Sequence, residues 1–172
     1  MVSENASRSN CLLETGFSLI ELMVTIVILA IILAIGIPGF QNLFENSRLQ
    51  RANGDFVTAV NLARSEAISR ELPAGGRVVL CERNAAANGC SGDADWSDGV
   101  LVLEVDAVGN VQQVIRAWDP IPTVTLTAGA AQILFTSDGR ADPAVGFNVD
   151  VNGESQDYCL RPTGSLFKGG CP

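Results

Sequence analysis

The first strong pattern along the chain is an apolar run from Phe17 to Ile37, in which the strongly polar side chains are Ser18, Glu21 and Thr25. About 20 apolar residues are enough to cross a bilayer as a helix. An acidic residue in such a segment costs about 2.5–3.5 kcal/mol on insertion scales, so it marks a functional position by default. The pattern predicts a membrane helix in which Glu21 needs a partner.

The spacing of apolar residues changes after Pro38-Gly39. From about 40 to 70 they recur every three or four positions, which is typical of an amphipathic helix. One face of this helix consists of Leu49, Ala52, Phe56, Ala59, Val60, Ala63 and Ala67. Pro73 and the Gly75-Gly76 pair end it. The pattern predicts a second helical half that packs its apolar face against a domain.

Beyond Gly76 the pattern changes to alternation and turn residues, which favours strands. The candidate strands are 77–81, 99–105, 111–118, 124–127, 132–136, 145–151 and 158–161. Gly109-Asn110 and Asp138-Gly139 have the composition of hairpin turns. We expect an α+β fold, in which an antiparallel sheet buries one face against the amphipathic half of the helix.

A position-specific motif, Gly16-Phe17-Ser18-Leu19-Ile20-Glu21, opens the apolar run. It resembles a class III signal, the type IV prepilin motif, with Gly before Phe and Glu at the fifth position after that junction. The resemblance implies that residues 1–16 are a leader, cut after Gly16 by a membrane peptidase that methylates Phe17. It also implies that Glu21 pairs with the terminal amine of a neighbouring subunit and that Pro38 is a helix-kinking proline.

Two other interpretations of this segment are an ordinary secretory signal and a plain transmembrane anchor. An ordinary secretory signal has a basic region before its apolar core and a cleavage site beyond that core. Residues 1–16 carry Glu4, Arg8 and Glu14, a net charge of −1, so they lack the basic region, which prepilin leaders usually have as well. A plain transmembrane anchor fits the length of the apolar run but leaves Glu21 unexplained.

The downstream sequence resembles minor pilins and pseudopilins of the GspH/FimT type. The likeness rests on the order of 63–68 (ARSEAI), 79–81 (VLC), 95–99 (DWSDG), 133–140 (ILFTSDGR) and Cys159. It implies the type IV pilin fold, with residues 17–38 as the transmembrane and filament-core half of the helix, 39–72 as its amphipathic half and 73–172 as a β-rich domain. Within that domain Trp96 and Phe135 are expected in the core.

The same resemblance implies a non-enzymatic assembly subunit that primes or caps a type IV pilus. Its partners would be other major and minor pilins, the prepilin peptidase and methyltransferase, and the inner membrane, which the chain would cross once with its domain in the periplasm before joining the filament tip. A minor pseudopilin of a type II secretion system is the alternative within the same architecture. A DNA-binding receptor at the pilus tip is the alternative from another class.

Composition gives no support to catalysis. The chain has 172 residues, a net charge of −8 and no histidine, so Ser-His-Asp and Cys-His arrangements are excluded. Gly75-Gly76 precede a predicted strand rather than a helix, which argues against a phosphate-binding loop. The sequence predicts neither an enzyme nor a cofactor.

Four of the five cysteines, Cys81, Cys90, Cys159 and Cys171, lie beyond the leader. An even number in an exported domain indicates disulfides, and four cysteines allow three connectivities. We favour the pairs Cys81–Cys90 and Cys159–Cys171, because each closes a short loop that contains glycine. A zinc site is the alternative, but the spacing is not that of metal ligands and histidine is absent.

The carboxy-terminal tail from Cys159 contains no acidic residue and carries Arg161, Phe167 and Lys168. Some proteins of this pilin branch resemble DNA-uptake subunits with Arg-rich tails, and cations beside a ring can bind phosphate and base. These three residues are the candidate DNA-binding set, which Arg140 would join if the fold brings it close. The alternative is a solvated loop closed by a disulfide.

Asp93, Asp95 and Asp98 supply oxygen ligands in a loop flanked by glycine, which is suitable chemistry for calcium. Their spacing departs from the EF-hand loop, and no glutamate follows at the required position. We therefore predict a solvated acidic turn and no metal site.

Overall fold

The computed structural model describes residues 17–171, except for the side chains of residues 35–42. The chain divides into two compact units, Met1–Gln41 and Asn42–Pro172. One helix is followed by nine strands over the described residues. They are α1 (Leu19–Ser69), β1 (Arg77–Glu82), β2 (Val100–Val105), β3 (Val111–Trp118), β4 (Val124–Ala128), β5 (Gln132–Phe135), β6 (Ala141–Asp142), β7 (Val145–Val151), β8 (Glu154–Leu160) and β9 (Leu166–Lys168).

The strands form two antiparallel sheets rather than the single sheet that the sequence predicted. One has the order β3-β2-β1-β5-β6, and the other has the order β4-β7-β8-β9. The segment between β3 and β4 contains Pro120 and Pro122, and proline has no N–H group for a ladder hydrogen bond. The chain leaves the first sheet there, and β4 pairs with β7 in the second.

The amphipathic half of α1 forms the centre of the main core. Six of the seven residues predicted for its apolar face are buried, and Leu49 packs partly buried against them. The alanines of this face at positions 59, 63 and 67 are fully buried. Their small side chains let the sheets approach the helix closely. Phe56 contacts both β7 and β8, with ring centroids 4.6 Å from Phe147 and 5.7 Å from Tyr158.

The first sheet buries both of its faces at β1 and β2. Val78, Leu80 and Val102 belong to the helix-side core, whereas their neighbours Val79 and Leu101 belong to a second apolar cluster. That second cluster also contains Cys81, Leu103 and Val105, with Cys90 packed against it. Trp96 and Phe135 lie in the main core, which confirms the prediction for both rings.

Two disulfides hold segments of the domain together. Cys81 pairs with Cys90 and Cys159 with Cys171, with Cα–Cα distances of 5.7 and 4.9 Å. These are the two pairs favoured from the sequence. On the loop-entropy model, bridges that close loops of this size contribute about 2–4 kcal/mol each.

The strand boundaries differ from prediction at the end of the chain. The strand predicted at 158–161 begins at Glu154, because Asn152 and Gly153 have φ values of 53° and 91° and form a tight hairpin turn. Two short strands, β6 and β9, were not predicted. They have two and three residues, too few to show a periodic pattern.

The unit Asn42–Pro172 has a complete hydrophobic interior of its own. Both apolar clusters, both disulfides and all nine strands of the described residues lie within it. We call it the domain unit, and we expect it to fold without the residues before Asn42.

Candidate functional site

The first residues of α1 expose an apolar surface around the whole helix. Between Phe17 and Leu33 the large apolar side chains are 51–84% exposed. Soluble helices bury at least one apolar stripe, and a helix that is apolar all round is typical of a buried or lipid-facing segment. We call residues 19–34 of α1 the assembly helix, because such a surface requires cover by lipid or by other apolar helices.

Glu21 lies in the first turn of this helix. Ser18 caps the same turn, because its Oγ accepts a hydrogen bond from the backbone N–H of Ile20 at 3.2 Å. A carboxylate near a helix amino terminus is favoured by the helix dipole. Within residues 17–171, Glu21 forms no ion pair, so its carboxylate is available to a cation from elsewhere.

Two predicted positions of this region lie outside the description. Gly16, the predicted cleavage position, precedes the described residues, and Pro38 falls among the positions whose side chains are not described. Phe17, the predicted methylation site, is exposed two residues before the start of α1.

Across the described residues, no helix combines the length and the apolar character that a membrane span requires.

The structure brings two of the three predicted tail residues together. The guanidinium carbon of Arg161 lies 4.0 Å from the ring centroid of Phe167, in cation–π geometry. In the register of β8 and β9, Phe167 pairs with Cys159 and Lys168 pairs with Tyr158. Directly paired residues share a sheet face and successive residues alternate. Lys168 therefore lies on the face opposite Phe167, apart from the Arg161 pair.

The turn that carries Arg140 lies beside the turn that follows Arg161. The N–H of Ala141 donates to the carbonyl of Pro162 at 3.0 Å, so the turn after β5 lies beside the turn after β8. The two turns approach so closely that a Cβ on Gly164 would overlap the carbonyl oxygen of Gly139.

Helix α1 contributes a third arginine, Arg64, which no sequence pattern had assigned to a site. A Cβ on Gly164 would lie 3.1 Å from Arg64 Nε, and one on Gly139 would lie 3.3 Å from the same atom. Arg64 Nε is buried without a hydrogen-bond partner in the described part of the chain. We call Arg64, Arg140 and Arg161 the arginine junction; in residues 17–171 none of them forms an ion pair.

Two carboxylates moderate the charge of the junction. Asp138 and Asp142 line the hollow that also contains Arg140 and Pro162. The hydroxyl of Thr136 donates to Asp138, and this bond, with smaller contributions from the backbone N–H and the charge of Arg140, lowers the pKa of Asp138. Asp138 is therefore ionised at neutral pH and offsets part of the positive charge of Arg140.

In and beside the loop that contains Asp93, Asp95 and Asp98, carboxylates accept hydrogen bonds from the backbone and the serine hydroxyls of the loop itself. Asp95 accepts hydrogen bonds from the backbone N–H and the hydroxyl of Ser97, at 3.1 and 2.5 Å. Glu82 is 5% exposed and accepts hydrogen bonds from the Ser91 hydroxyl and the Asp98 N–H. Among the described residues, no three acidic, cysteine or histidine side chains are grouped to hold a metal ion.

The chain is similar to known proteins over most of its length. Residues 52–165 match the family described as type II transport protein GspH, and residues 13–37 match the prokaryotic N-terminal methylation motif. No curated protein matches the chain.

The fold is similar to the crystal structure of the type IV minor pilin FimU from Pseudomonas aeruginosa strain PAO1. The TM-score is 0.52 at 21% sequence identity, over 72% of this chain and 91% of that chain. A likeness at this identity concerns the fold, and it confirms the predicted α+β pilin architecture. With the GspH match spanning residues 52–165 and the methylation motif before it, the chain belongs to the GspH family of type IV pilin-like minor pilins and pseudopilins.

Proposed function

We propose that this protein is a minor type IV pilin that primes or caps pilus assembly and has no catalytic role. The observation that carries the proposal is the assembly helix, which is apolar on all sides and carries Glu21 in its first turn. The methylation motif supports cleavage of a 1–16 leader after Gly16 and methylation of Phe17. A single span of the bacterial inner membrane by residues 17–38, a periplasmic domain and a later place at the filament tip belong to the same proposal.

Glu21 has a physical role in this assembly. Neighbouring apolar helices replace lipid around the assembly helix as the subunit leaves the membrane, and the amine of Phe17 in an adjacent subunit meets the Glu21 carboxylate. A charge removed from water is tolerated only where a partner offsets its desolvation. Pairing therefore makes entry into the filament depend on correct axial position of the helix.

Replacing Glu21 with alanine is expected to leave insertion and cleavage intact but to remove most of the subunit from filaments. The measurement is the fraction of subunit in sheared filaments relative to the membrane fraction. Glu21→Gln tests charge at nearly constant shape. Thr25→Ala is the matched control one turn away, because within the described residues the Thr25 hydroxyl bonds only to the Leu22 carbonyl of its own helix. Normal filament entry by Glu21→Ala would contradict the pairing.

A pseudopilin of a type II secretion system shares this chemistry, and the GspH description names that class. Deletion of the gene separates the two roles: loss of twitching with normal protein secretion supports the pilus, and the reverse result supports secretion.

A DNA receptor at the pilus tip is a second candidate, favoured by the arginine junction beside the exposed ring of Phe167. Phosphate oxygens suit guanidinium groups that form no ion pair within the described residues, and an exposed ring can stack on a base. Binding through such contacts releases the counterions condensed on DNA, and the affinity falls as the salt concentration rises because that release becomes less favourable.

The domain unit is expected to bind DNA with a salt dependence that the double variant Arg140→Ala, Arg161→Ala reduces. Two lost phosphate contacts lower the slope of log K against log salt by about 1.8. Lys168→Ala is the matched control, because the register places it on the other face of the second sheet. Absence of binding at low salt, or an equal effect of Lys168→Ala, would remove the receptor hypothesis.

A further inference from the structure

Strand β3 leaves one edge of the first sheet open. It is the outermost strand of that sheet and has eight residues, Val111–Trp118. Its hydrogen-bond ladder faces β2, and within residues 17–171 no other backbone segment pairs with its outer edge. An exposed strand edge presents a row of free N–H and C=O groups with which another strand can pair.

The other edge strands of the domain unit are short or covered. β6 and β9 have two and three residues, too few to pair with a strand of ordinary length. The loop before β2 covers β4, because the Trp96 N–H donates to the Leu126 carbonyl at 2.6 Å and the Ala128 N–H donates to the Ala94 carbonyl at 2.8 Å. Lysine and proline also protect edges, and β3 contains neither. Among the described strands, β3 is therefore the long edge without cover.

Two irregularities in the ladder give β3 an exposed apolar row. Because the register of β3 on β2 shifts twice, three residues of β3 lie opposite members of the second apolar cluster. They are Val111, Val114 and Ala117. Directly paired residues share a sheet face. All three are exposed, Val111 by 45% and Val114 by 36%, so the row continues the second apolar cluster as far as the open edge.

The opposite face of β3 carries Arg116, which is the one charged residue of the strand. Arg116 pairs with Val102 of the main core, on the helix side of the first sheet. Its guanidinium carbon lies 4.8 Å from the ring centroid of Trp118, and it forms no ion pair with any described residue. Opposite charges on neighbouring strands stabilise a sheet. An added strand is therefore favoured when it places a carboxylate beside Arg116.

We propose that β3 binds an extended strand of a partner protein, with apolar residues on the face of Val111 and Val114 and an acidic residue opposite Arg116. Main-chain hydrogen bonds to the open edge hold this strand, as in β-augmentation, and the side chains select it. A second copy of β3 is less suitable, because the strand contains no acidic residue for Arg116. The site uses no residue of the assembly helix or of the arginine junction, so this proposal and the proposed function fail separately.

Binding is tested on the ¹⁵N-labelled domain unit with a peptide as long as β3, in which valine and threonine alternate and one central threonine is replaced by glutamate. We expect saturable shifts of the β3 amide signals and slower hydrogen exchange of the β3 N–H groups that face away from β2. The control peptide has two adjacent prolines beside the glutamate, which remove N–H donors from both of its edges. No saturable shift, equal binding of the proline peptide, or shifts confined to other strands would overturn the proposal.

The preference for an acidic partner is tested by exchanging charges. A peptide with lysine in place of the glutamate is expected to bind about fivefold more weakly to the unaltered domain unit. Arg116→Glu is expected to reverse this preference, a result that loss of folding cannot produce. Equal binding of the two peptides by both proteins would overturn the acidic partner.

The contribution of the apolar row is tested with Val114→Lys, which is expected to weaken binding of the glutamate peptide about fivefold. The new positive charge by itself attracts an acidic peptide, so weaker binding measures the lost apolar contact. Thr125→Lys is the matched control, because Thr125 is exposed on β4, whose edge is already covered. The backbone amide spectrum verifies that both variants fold. Equal binding by the two folded variants would contradict the assigned strand.

A dilution series without peptide distinguishes a partner strand from a second copy. We expect the exchange rates of the outer β3 N–H groups to be independent of protein concentration. Slower exchange at high concentration, together with a dimer in sedimentation, would show that a second copy occupies the edge and would overturn the partner strand.

Discussion

Replacing Phe56 with alanine is expected to destabilise the domain unit by about 3–5 kcal/mol, as large-to-small substitutions of buried aromatic residues do. Phe56 is 1% exposed and lies where α1 meets the second sheet. Its ring contacts Phe147 on β7 and Tyr158 on β8, so the substitution removes two aromatic contacts as well as apolar burial. The cavity lies between helix and sheet, where neither element can collapse into it without breaking its own hydrogen bonds.

Urea unfolding of the domain unit measures this effect through the transition midpoint at an unchanged slope. Val57→Ala is the matched control, because Val57 is the next residue of the same helix and is only partly buried. We expect it to cost about 1 kcal/mol, the typical value for a point mutation. Equal costs for the two variants would show that the helix–sheet contact at Phe56 does not hold the core together.

The helix was predictable because its signal repeats many times. The seven apolar positions from Leu49 to Ala67 follow one face over several turns, and six of them are buried. The low helix propensity of Gly54 disfavours the helix by about 1 kcal/mol relative to alanine. The burial of the long apolar face contributes more than this and stabilises the helix. Nothing lies within 4 Å of the position where a Cβ on Gly54 would stand, so glycine is not required there by space.

The division into two sheets was not predictable from strand patterns. Strands β1 and β2 bury both faces, so their sequences read as continuous apolar runs that carry no information about which face meets the helix. Which strands pair depends on long-range contacts, such as β1 with β5 and β4 with β7. The prolines after β3 were the one local indication that the first sheet ends there.

The candidate site divides in the same way. Glu21 and Phe17 belong to a contiguous motif, so a sequence pattern alone is enough to propose them as site residues. The arginine junction combines a helix residue with two turns that are distant along the chain, and its assembly depends on glycines at 139 and 164 that only the folded contact explains. Lys168 was grouped with Arg161 by proximity in sequence, and strand alternation separates them.

Gly99→Ala is expected to destabilise the domain unit by roughly 2–6 kcal/mol, from backbone strain of about 1–3 and overpacking of about 1–3 kcal/mol. Gly99 has φ 106°, a conformation that side chains disfavour. A Cβ there would overlap the Trp118 carbonyl oxygen and lie 3.0 Å from Arg83 Cδ. The carbonyl cannot move freely, because Trp118 is the last residue of β3 and pairs with Val100.

Gly92→Ala separates strain from overlap, because Gly92 has φ 93° but nothing within 4 Å of the added Cβ. It is expected to cost only the strain, about 1–2 kcal/mol. The difference between the urea midpoints of the two variants therefore measures the cost of the steric overlap between the new Cβ at position 99 and the Trp118 carbonyl. Because Gly99 and Trp118 line the same hollow beside α1, Gly99→Ala is also expected to shift the Trp118 indole N–H signal of the ¹⁵N-labelled domain unit, whereas Gly92→Ala leaves it unchanged. Equal destabilisation by both variants would mean that Trp118 yields to the new Cβ and that this end of β3 is not rigid.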